Sequence, residues 1–197
     1  MNFLAHALLA GPEPADRLGA MLGDFVKGPL PAGLPAPVAA GVELHRRIDS
    51  YADAHPAFRR SRARVSAPRR RVAGIMVDLF YDHFLAAGWE RFGPEPLPQF
   101  AAGVYDLLDE HARMLPERLA AMFPAMRAQD WMSSYRRVEA VGEALDRMAT
   151  HRLRRPNTLA GSGSELQARY PDFARDFAAF FPEAIAYAAS VRAGRRS

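Results

Sequence analysis

The stretch that decides the fold runs from Val72 to Leu85 and reads VAGIMVDLFYDHFL. Its residues are apolar on almost every side of a helical wheel, so we expect a central, buried helix. Asp78 and Asp82 lie four residues apart in this stretch and therefore share one helix face, where like charges repel each other. Because burial makes a charged carboxylate costly, the pattern predicts either a compensating cation or protonated acids.

The rest of the chain predicts an all-α protein. Apolar residues recur at intervals of three and four, and we find neither a sustained alternation of apolar and polar residues nor an Asn-Gly or Asp-Gly hairpin signal. Proline and glycine separate the predicted helices, most clearly at 28–37, 93–96 and 158–164. We expect helices at about 2–10, 15–27, 37–54, 56–65, 69–88, 97–113, 117–123, 127–150 with a break, 163–169 and 171–193. The chain has 197 residues, of which 49% are hydrophobic, so we expect a single-domain helical bundle over residues 1–197.

Composition excludes several kinds of site and indicates a location. The chain has no cysteine, which excludes disulfides, thiolate zinc sites, iron–sulfur clusters and cysteine nucleophiles. It lacks a glycine-rich phosphate loop and the Glu-x-x-His pairs of ferritin-like sites. No apolar run reaches the roughly 20 residues of a membrane helix, and the first residues lack a basic secretory signal. These features predict a cytoplasmic protein with no membrane span, and the net charge of +4 is a weak signal for nucleic acid, so we expect no nucleic-acid partner.

A second predicted helix, 37–54, also places acids on one stripe, with His45, Asp49 and Asp53 at i, i+4 and i+8. Two interpretations are open. The acids can pair with arginines in buried salt bridges, since Lys27 is the only lysine among 26 basic residues. Alternatively, carboxylates and imidazoles from several helices hold a divalent metal, and mixed nitrogen and oxygen ligands suit Mn²⁺, Mg²⁺ or Fe²⁺ better than Zn²⁺.

The six histidines fall into two groups. His6 and His45 lie in apolar helices, and His83 lies in the stretch quoted above. The other three lie next to a proline or on polar segments, where surface or capping roles are expected, and they are His55, His111 and His151. The first group therefore supplies the candidate imidazole ligands and proton donors.

Ordered motifs in the first 85 residues carry a resemblance to a known family. They read MNFLAH from residue 1, DFVKG from 24, HRRID from 45, DAHP from 53 and DHFL from 82, and weaker matches follow around 131–136 and 177–182. Together they resemble the bacterial acyl carrier protein phosphodiesterases, also called acyl carrier protein hydrolases. The chain departs from the family pattern at Leu8, where a second histidine is common, at Ala52, where a small hydroxyl residue is common, and at Gly23, where alanine is more usual.

The resemblance implies a fold, a reaction and a partner. The fold is an all-helical one similar to HD-domain metal phosphohydrolases. The reaction is hydrolysis of the phosphodiester that joins 4′-phosphopantetheine to a serine of holo-acyl carrier protein, which links the chain to fatty acid and lipid metabolism. Manganese is the implied metal, with Mg²⁺ or Fe²⁺ as alternatives. The matching positions, which we take as candidate metal ligands, are Asp24, His45, Asp49, Asp78, Asp82 and His83.

The reaction also needs groups that bind phosphate and transfer protons. We assign catalytic roles to five residues, and these are His6, Asp24, Lys27, Arg46 and Arg47. Lys27 and the two arginines would bind phosphate oxygens, although each arginine can instead neutralise an aspartate. Asp24 would bridge the metal or orient water, and His6 or His45 would act as the general acid.

Acyl carrier protein is acidic, so a basic docking face is expected on this chain. The candidate face is a run of seven arginines, namely Arg59, Arg60, Arg62, Arg64, Arg69, Arg70 and Arg71. The alternative for this run is an ordinary solvated charge cluster. Two alternatives for the whole chain stay open at this stage: an HD-like phosphohydrolase that acts on nucleotides or small phosphodiesters, and a non-enzymatic helical module that binds an acidic partner.

Overall fold

The computed structural model describes residues 1–151 and 157–195, with no side-chain description for His151. The described residues form eleven α-helices and three short 3-10 helices and contain no strand, which confirms the predicted all-α class. The α-helices are α1 (Phe3–Leu9), α2 (Pro14–Leu22), α3 (Ala36–Ala54), α4 (Pro56–Arg64), α5 (Ala73–Ala87), α6 (Leu97–Glu110), α7 (Glu117–Ala128), α8 (Trp131–Ser134), α9 (Val138–His151), α10 (Gly163–Ala168) and α11 (Tyr170–Ala193). No helix among the described residues has the length and apolar character needed to cross a membrane.

Helix α5 is the centre of the molecule, as the quoted stretch predicts. Leu79, Phe80 and Tyr81 are fully buried, and α5 packs against α1, α4, α9 and α11. The expected start of this helix at residue 69 is wrong, because residues 67–72 form a 3-10 helix with Pro68 in its first turn. Helix α5 therefore packs apolar side chains against neighbouring helices on every side, and its Asp82 lies in the interior.

Helices α2 and α3 approach each other at backbone distance. A Cβ atom built on Gly19 would lie 2.3 Å from the carbonyl oxygen of Val38 and 2.6 Å from the Cα of Gly41. Only glycine fits such a crossing without moving a helix. The predicted extension of α2 to residue 27 is wrong, since α2 ends at Leu22 and a turn follows. The close crossing brings this turn, which contains Asp24, against the middle of α3.

A carboxylate of α5 caps the first turn of helix α1. The two oxygens of Asp82 accept hydrogen bonds from the backbone N–H groups of Leu4 and Ala5, at 2.9 and 3.1 Å. These N–H groups belong to the first turn of α1, which has no partner of its own for them, and the side chain of the N-cap residue Asn2 makes no capping bond. Asp82 therefore fixes the position and direction of α1, and with them the position of His6.

Candidate metal centre

Three side chains from two helices converge at one point. His6 from α1 and His45 and Asp49 from α3 each offer one ligand atom, and these atoms lie within 4.8 Å of one another. The Nε2 atom of His6 is 3.0 Å from one oxygen of Asp49, and the Nε2 atom of His45 is 3.2 Å from the other. Asp49 thus bridges the two imidazoles, and the spacing of His45 and Asp49 by four residues places both on one face of α3.

Backbone contacts orient the ring of His45. Its Nδ1 atom donates a hydrogen bond of 2.9 Å to the carbonyl oxygen of Ala20 in α2, which leaves Nε2 facing Asp49 and, at 3.8 Å, Asp24. Such a bond to the second ring nitrogen is how proteins commonly orient a metal-binding imidazole. A Cβ atom on Gly23 would lie 2.2 Å from the Cγ of His45. The glycine that departs from the family pattern therefore gives this ring its space.

His6 packs face to face with His45. The ring centroids are 3.7 Å apart, and the planes differ by 18°. The side chain of His6 is 2% exposed, and its Nδ1 atom is buried without a hydrogen-bond partner among the described residues. A buried, unpaired imidazole nitrogen is costly unless it has a ligand to bind. His6 therefore brings one ring nitrogen to the cluster and leaves the other, Nδ1, without a hydrogen-bond partner among the described residues.

Burial and neighbouring charges shift the pKa values of His6 and His45 in opposite directions. Burial, together with the neighbouring His45, lowers the pKa of His6 to about 4, so this ring is neutral at pH 7. Burial also opposes a charge on His45, but its hydrogen bonds to Asp24 and Asp49 outweigh that effect and raise its pKa to about 8. Burial would raise the pKa of Asp49, yet the Met1 ammonium and the two histidines hold it well below its usual range. Asp49 is therefore an anionic ligand at neutral pH.

Asp78 faces the same point from α5. One of its oxygens is 3.0 Å from the Met1 amino group, which also lies 2.9 Å from Asp49. Burial opposes a charge on this amino group, but the negative charges of Asp78 and Asp49 and its hydrogen bonds to them outweigh that effect and raise its pKa to about 11. A cavity of about 40 Å³ lies between Met1, Asp24, Asp49 and Asp78. Among the described residues, Asp49 and Asp78 therefore pair with the Met1 ammonium and not with arginine, so the arginine salt bridges of the first interpretation are not found at these two acids.

The predicted phosphate-binding residues separate into two groups. Lys27 and Arg46 line a cavity of about 340 Å³ together with Asp24, His45 and Asp49. Arg46 also donates a hydrogen bond of 3.0 Å to the carbonyl oxygen of Val26. Both cations are therefore placed beside the cluster, where they can meet an anionic substrate.

Arg47 is not in that cavity. It forms an exposed ion pair with Glu43, one turn earlier in α3. The structure therefore places Arg47 away from the cluster, because one residue along a helix turns a side chain by roughly 100°.

Two of the predicted ligands have their polar atoms engaged elsewhere. Both oxygens of Asp82 accept backbone N–H groups of α1, and its burial raises its pKa to about 7 in spite of those bonds. The Nδ1 atom of His83 donates to the carbonyl oxygen of Tyr135 at 2.8 Å, and its Nε2 atom lies 2.9 Å from the hydroxyl of Tyr170. The structure does not bring His83 into the cluster, and it gives Asp82 a capping contact.

Most of the arginine run meets acids of this same chain. Arg60 and Arg64 bind Asp176 of α11 at 3.0 and 2.7 Å, Arg62 pairs with Asp53, and Arg69 pairs with Glu165. These contacts use much of the positive charge that the docking interpretation needs. They favour the interpretation of the run as a structural and solvated charge cluster.

Surface or capping roles are expected for three histidines, and the structure describes the side chains of two of them, His55 and His111. His55 caps α4, since its Nδ1 atom accepts the N–H of Ala57, which confirms the capping role. The Nδ1 atom of His111 donates to the carbonyl oxygen of Leu107 one turn earlier. The side chain of His151 lies outside the described part of the chain.

The cluster fits a divalent cation. Two imidazoles and neighbouring carboxylates form a mixed nitrogen and oxygen donor set of the kind that binds divalent cations. One imidazole is oriented by a backbone carbonyl, and the other is held neutral by burial. The cavity beside the cluster has room for water, which needs roughly 10–15 Å³ on the same measure. Sequence reasoning assigned His6 to proton transfer and not to this donor set, because its placement depends on how α5 holds α1.

A family model and several known proteins similar to this chain share one name. The family model described as "Acyl carrier protein phosphodiesterase" matches residues 1–184. The proteins named acyl carrier protein phosphodiesterase in Photorhabdus laumondii and Serratia proteamaculans are 34% and 36% identical to this chain. The aligned regions cover 92% of this chain and 92% of the Photorhabdus protein, and 93% and 95% for the Serratia protein. No solved structure matches the chain significantly.

A third similar protein also matches along nearly the whole chain. The protein of the same name in Yersinia enterocolitica is 34% identical over 192 residues, which is 95% of this chain and 97% of that protein. The chain belongs to the acyl carrier protein phosphodiesterase family, and the resemblance noted in the sequence is confirmed.

Proposed function

We propose that this chain is a metal-dependent hydrolase that removes 4′-phosphopantetheine from the serine of holo-acyl carrier protein. Water attacks phosphorus, the bond between phosphorus and the serine oxygen breaks, and that oxygen leaves with a proton. The products are apo-acyl carrier protein and free 4′-phosphopantetheine. The observation that carries this proposal is the cluster of two buried imidazoles, His6 and His45, with the partly exposed Asp49, beside a cation-lined cavity in a chain of this family.

Metal ligation would involve five side chains in this proposal. His6, His45 and Asp49 hold the cation, and Asp24 and Asp78 complete its surroundings. When bound, a divalent cation supplies Lewis acidity: it offsets the charge of the phosphodiester and lowers the pKa of the attacking water. This assignment replaces Asp82 and His83 of the sequence-based ligand set, because their polar atoms bind backbone groups and a tyrosine hydroxyl.

The remaining polar groups would position the substrate. Lys27 and Arg46 stabilise the phosphate oxygens, since charge-assisted hydrogen bonds in a partly enclosed cavity contribute most where negative charge develops. Asp24 lies between the cluster and this cavity, where its carboxylate can orient the attacking water and accept its proton. We extend the proposal to one HD-like catalytic domain over residues 1–197, with manganese as its metal and the cytoplasm as its location.

The test uses purified full-length protein and holo-acyl carrier protein. We expect chelator-treated protein to be inactive, and added Mn²⁺ to restore loss of phosphopantetheine as seen by mass spectrometry of the carrier protein. Asp49→Asn should lower activity at least about a hundredfold, the usual scale for loss of a ligand or a preorganised charge. Asp53→Asn is the matched control, because Asp53 lies one turn further along α3 and pairs with Arg62 on the surface.

Two results would contradict the proposal. Full activity of Asp49→Asn, with metal still bound, would remove the cluster from the mechanism. Hydrolysis of nucleotides or of bis(p-nitrophenyl) phosphate, without any release of phosphopantetheine from carrier protein, would favour an HD-like phosphohydrolase of different specificity.

A further inference from the structure

One cavity at the candidate centre is not used by the proposed chemistry. It has a volume of about 500 Å³ and lies between the first turn of α1, the turn after α2, and helices α7, α8 and α9. Asp24 lines this cleft, the cation-lined cavity and the small cavity beside Asp49 and Asp78. The cleft therefore opens onto the candidate centre and not onto a separate part of the surface.

The lining of the cleft is mostly apolar. Phe3 and Phe25 stack at one wall with centroids 6.4 Å apart, and the side chains of Met122, Trp131 and Met148 form much of the rest. Methionine side chains adapt to irregular ligands, and half-buried aromatic rings give contact area at little entropic cost. Such a lining favours an uncharged chain over a second anionic group.

Besides Asp24 and Tyr135, the polar side chains that line this cleft are the guanidinium donors of Arg118 and Arg147. Arg118 lies on the exposed side of α7, and the guanidinium of Arg147 lies 5.1 Å from the ring centroid of Trp131. Guanidinium groups can donate hydrogen bonds to amide carbonyl oxygens but cannot accept any. The cleft therefore matches an uncharged, largely apolar group that carries a few carbonyl oxygens.

We infer that this cleft binds the pantetheine arm of the substrate, while the serine of the carrier protein lies on the side of Lys27 and Arg46. The inference rests on the proposed function, because the metal centre must hold the phosphate that joins the two halves. Pantetheine is uncharged and has geminal methyl groups, two amides and a terminal thiol, which fit an apolar cleft with guanidinium donors. The cationic cavity fits the acidic protein half.

The test compares two substitutions on α7 that differ only in where they point. Ala125 is exposed and lines the cleft, so Ala125→Phe places a ring in the space that the arm would occupy. Ala120 is exposed on the same helix and does not line the cleft, so Ala120→Phe is the matched control. Circular dichroism and thermal unfolding of both variants establish that each one folds.

Binding of pantetheine alone is the first measurement. Trp131 is part of the cleft and Trp89 is in the core, so a saturable change of tryptophan emission reports on the cleft. We expect wild type and Ala120→Phe to bind pantetheine equally, and Ala125→Phe to bind it at least about tenfold more weakly. Met122→Ala, which removes contact area without adding bulk, should weaken binding about threefold and provides a second variant.

Turnover separates this inference from the proposed function. We expect Ala125→Phe to lower kcat/KM for holo-carrier protein at least about tenfold more than kcat/KM for bis(p-nitrophenyl) phosphate, which has no arm. Equal binding of pantetheine by Ala125→Phe and wild type would overturn the cleft assignment and leave the proposed reaction intact. Release of no phosphopantetheine by wild type would instead contradict the reaction itself.

Discussion

At the scale of single residues, the direction in which a side chain points decides its role more than its residue type does. Arg46 and Arg47 are neighbours in the sequence and have the same chemistry, and sequence reasoning gives them the same role. The structure turns Arg46 toward the cavity beside Asp24 and turns Arg47 toward Glu43. The sequence could identify the helix and its charged stripe, but only the packing of α2 on α3 decides which arginine faces the centre.

This difference gives the first prediction. Arg46→Ala should lower kcat/KM for holo-carrier protein about tenfold to a hundredfold, because it removes a charge-assisted donor from the phosphate site. Arg47→Ala should change kcat/KM by less than about twofold, since the loss of an exposed ion pair has little effect. Steady-state kinetics of both variants at one ionic strength is the measurement, and equal losses would contradict the placement of the two side chains.

At the scale of secondary-structure elements, proline, glycine and apolar spacing predicted most helices to within a few residues. Where a predicted helix end is wrong, contacts with other helices explain the difference. The sequence continues in an apolar pattern past Leu22, yet α2 stops there, and the following turn carries Asp24 to His45. Local propensity contains no information about this contact, because it depends on the crossing of α2 and α3.

The crossing itself supports a second prediction. Gly19→Ala should lower the free energy of unfolding by about 2 kcal/mol, because a methyl group would press on the backbone of α3 at Gly41. Gly103→Ala is the control: it lies inside α6, and its Cβ would meet no atom within 4 Å. The control should be neutral or stabilise by up to about 1 kcal/mol, because alanine favours helix more than glycine does. Urea unfolding measures both, and a stabilised Gly19→Ala would contradict the close crossing.

The capping of α1 by Asp82 gives a third prediction. Asp82→Ala should lower the free energy of unfolding by about 3 kcal/mol, because it leaves the buried N–H groups of Leu4 and Ala5 without acceptors. Asp82→Asn retains one acceptor oxygen and should lose less. Denaturant unfolding and metal analysis of the folded variants distinguish two roles. Full stability with loss of bound metal would restore Asp82 as the ligand that sequence reasoning expected.

At the scale of the whole molecule, ion pairs tie the C-terminal helix to the middle of the chain. Asp176 of α11 is buried and binds Arg60 and Arg64 of α4 and the hydroxyl of Ser61. The sequence made this part of the arginine run a candidate docking face, because sequence alone does not show that Asp176 of α11 binds it. The motifs of the first 85 residues were enough for the family but not for this long-range pairing.

The pairing predicts how stability depends on pH. Burial opposes a charge on Asp176, but its bonds to Arg64 and Arg60 outweigh that effect and lower its pKa below the ordinary 3.8. A lowered pKa in the folded state stabilises the fold fully above the unfolded value, and this contribution is lost as the pH falls through the folded value. Wild type should therefore lose stability more steeply than Asp176→Asn below pH 3.8, and thermal unfolding across this range measures it. Parallel losses would contradict the pairing.

The central claim is that imidazoles of α1 and α3 together bind one metal ion, and magnetic resonance tests it most directly. Protein loaded with Mn²⁺ should show electron–nuclear couplings to imidazole nitrogens from two histidines. His6→Gln and His45→Gln should each remove one of the two sets, while His83→Gln should retain both. The absence of nitrogen couplings in wild type, or their loss in His83→Gln with both retained in His6→Gln, would contradict the account.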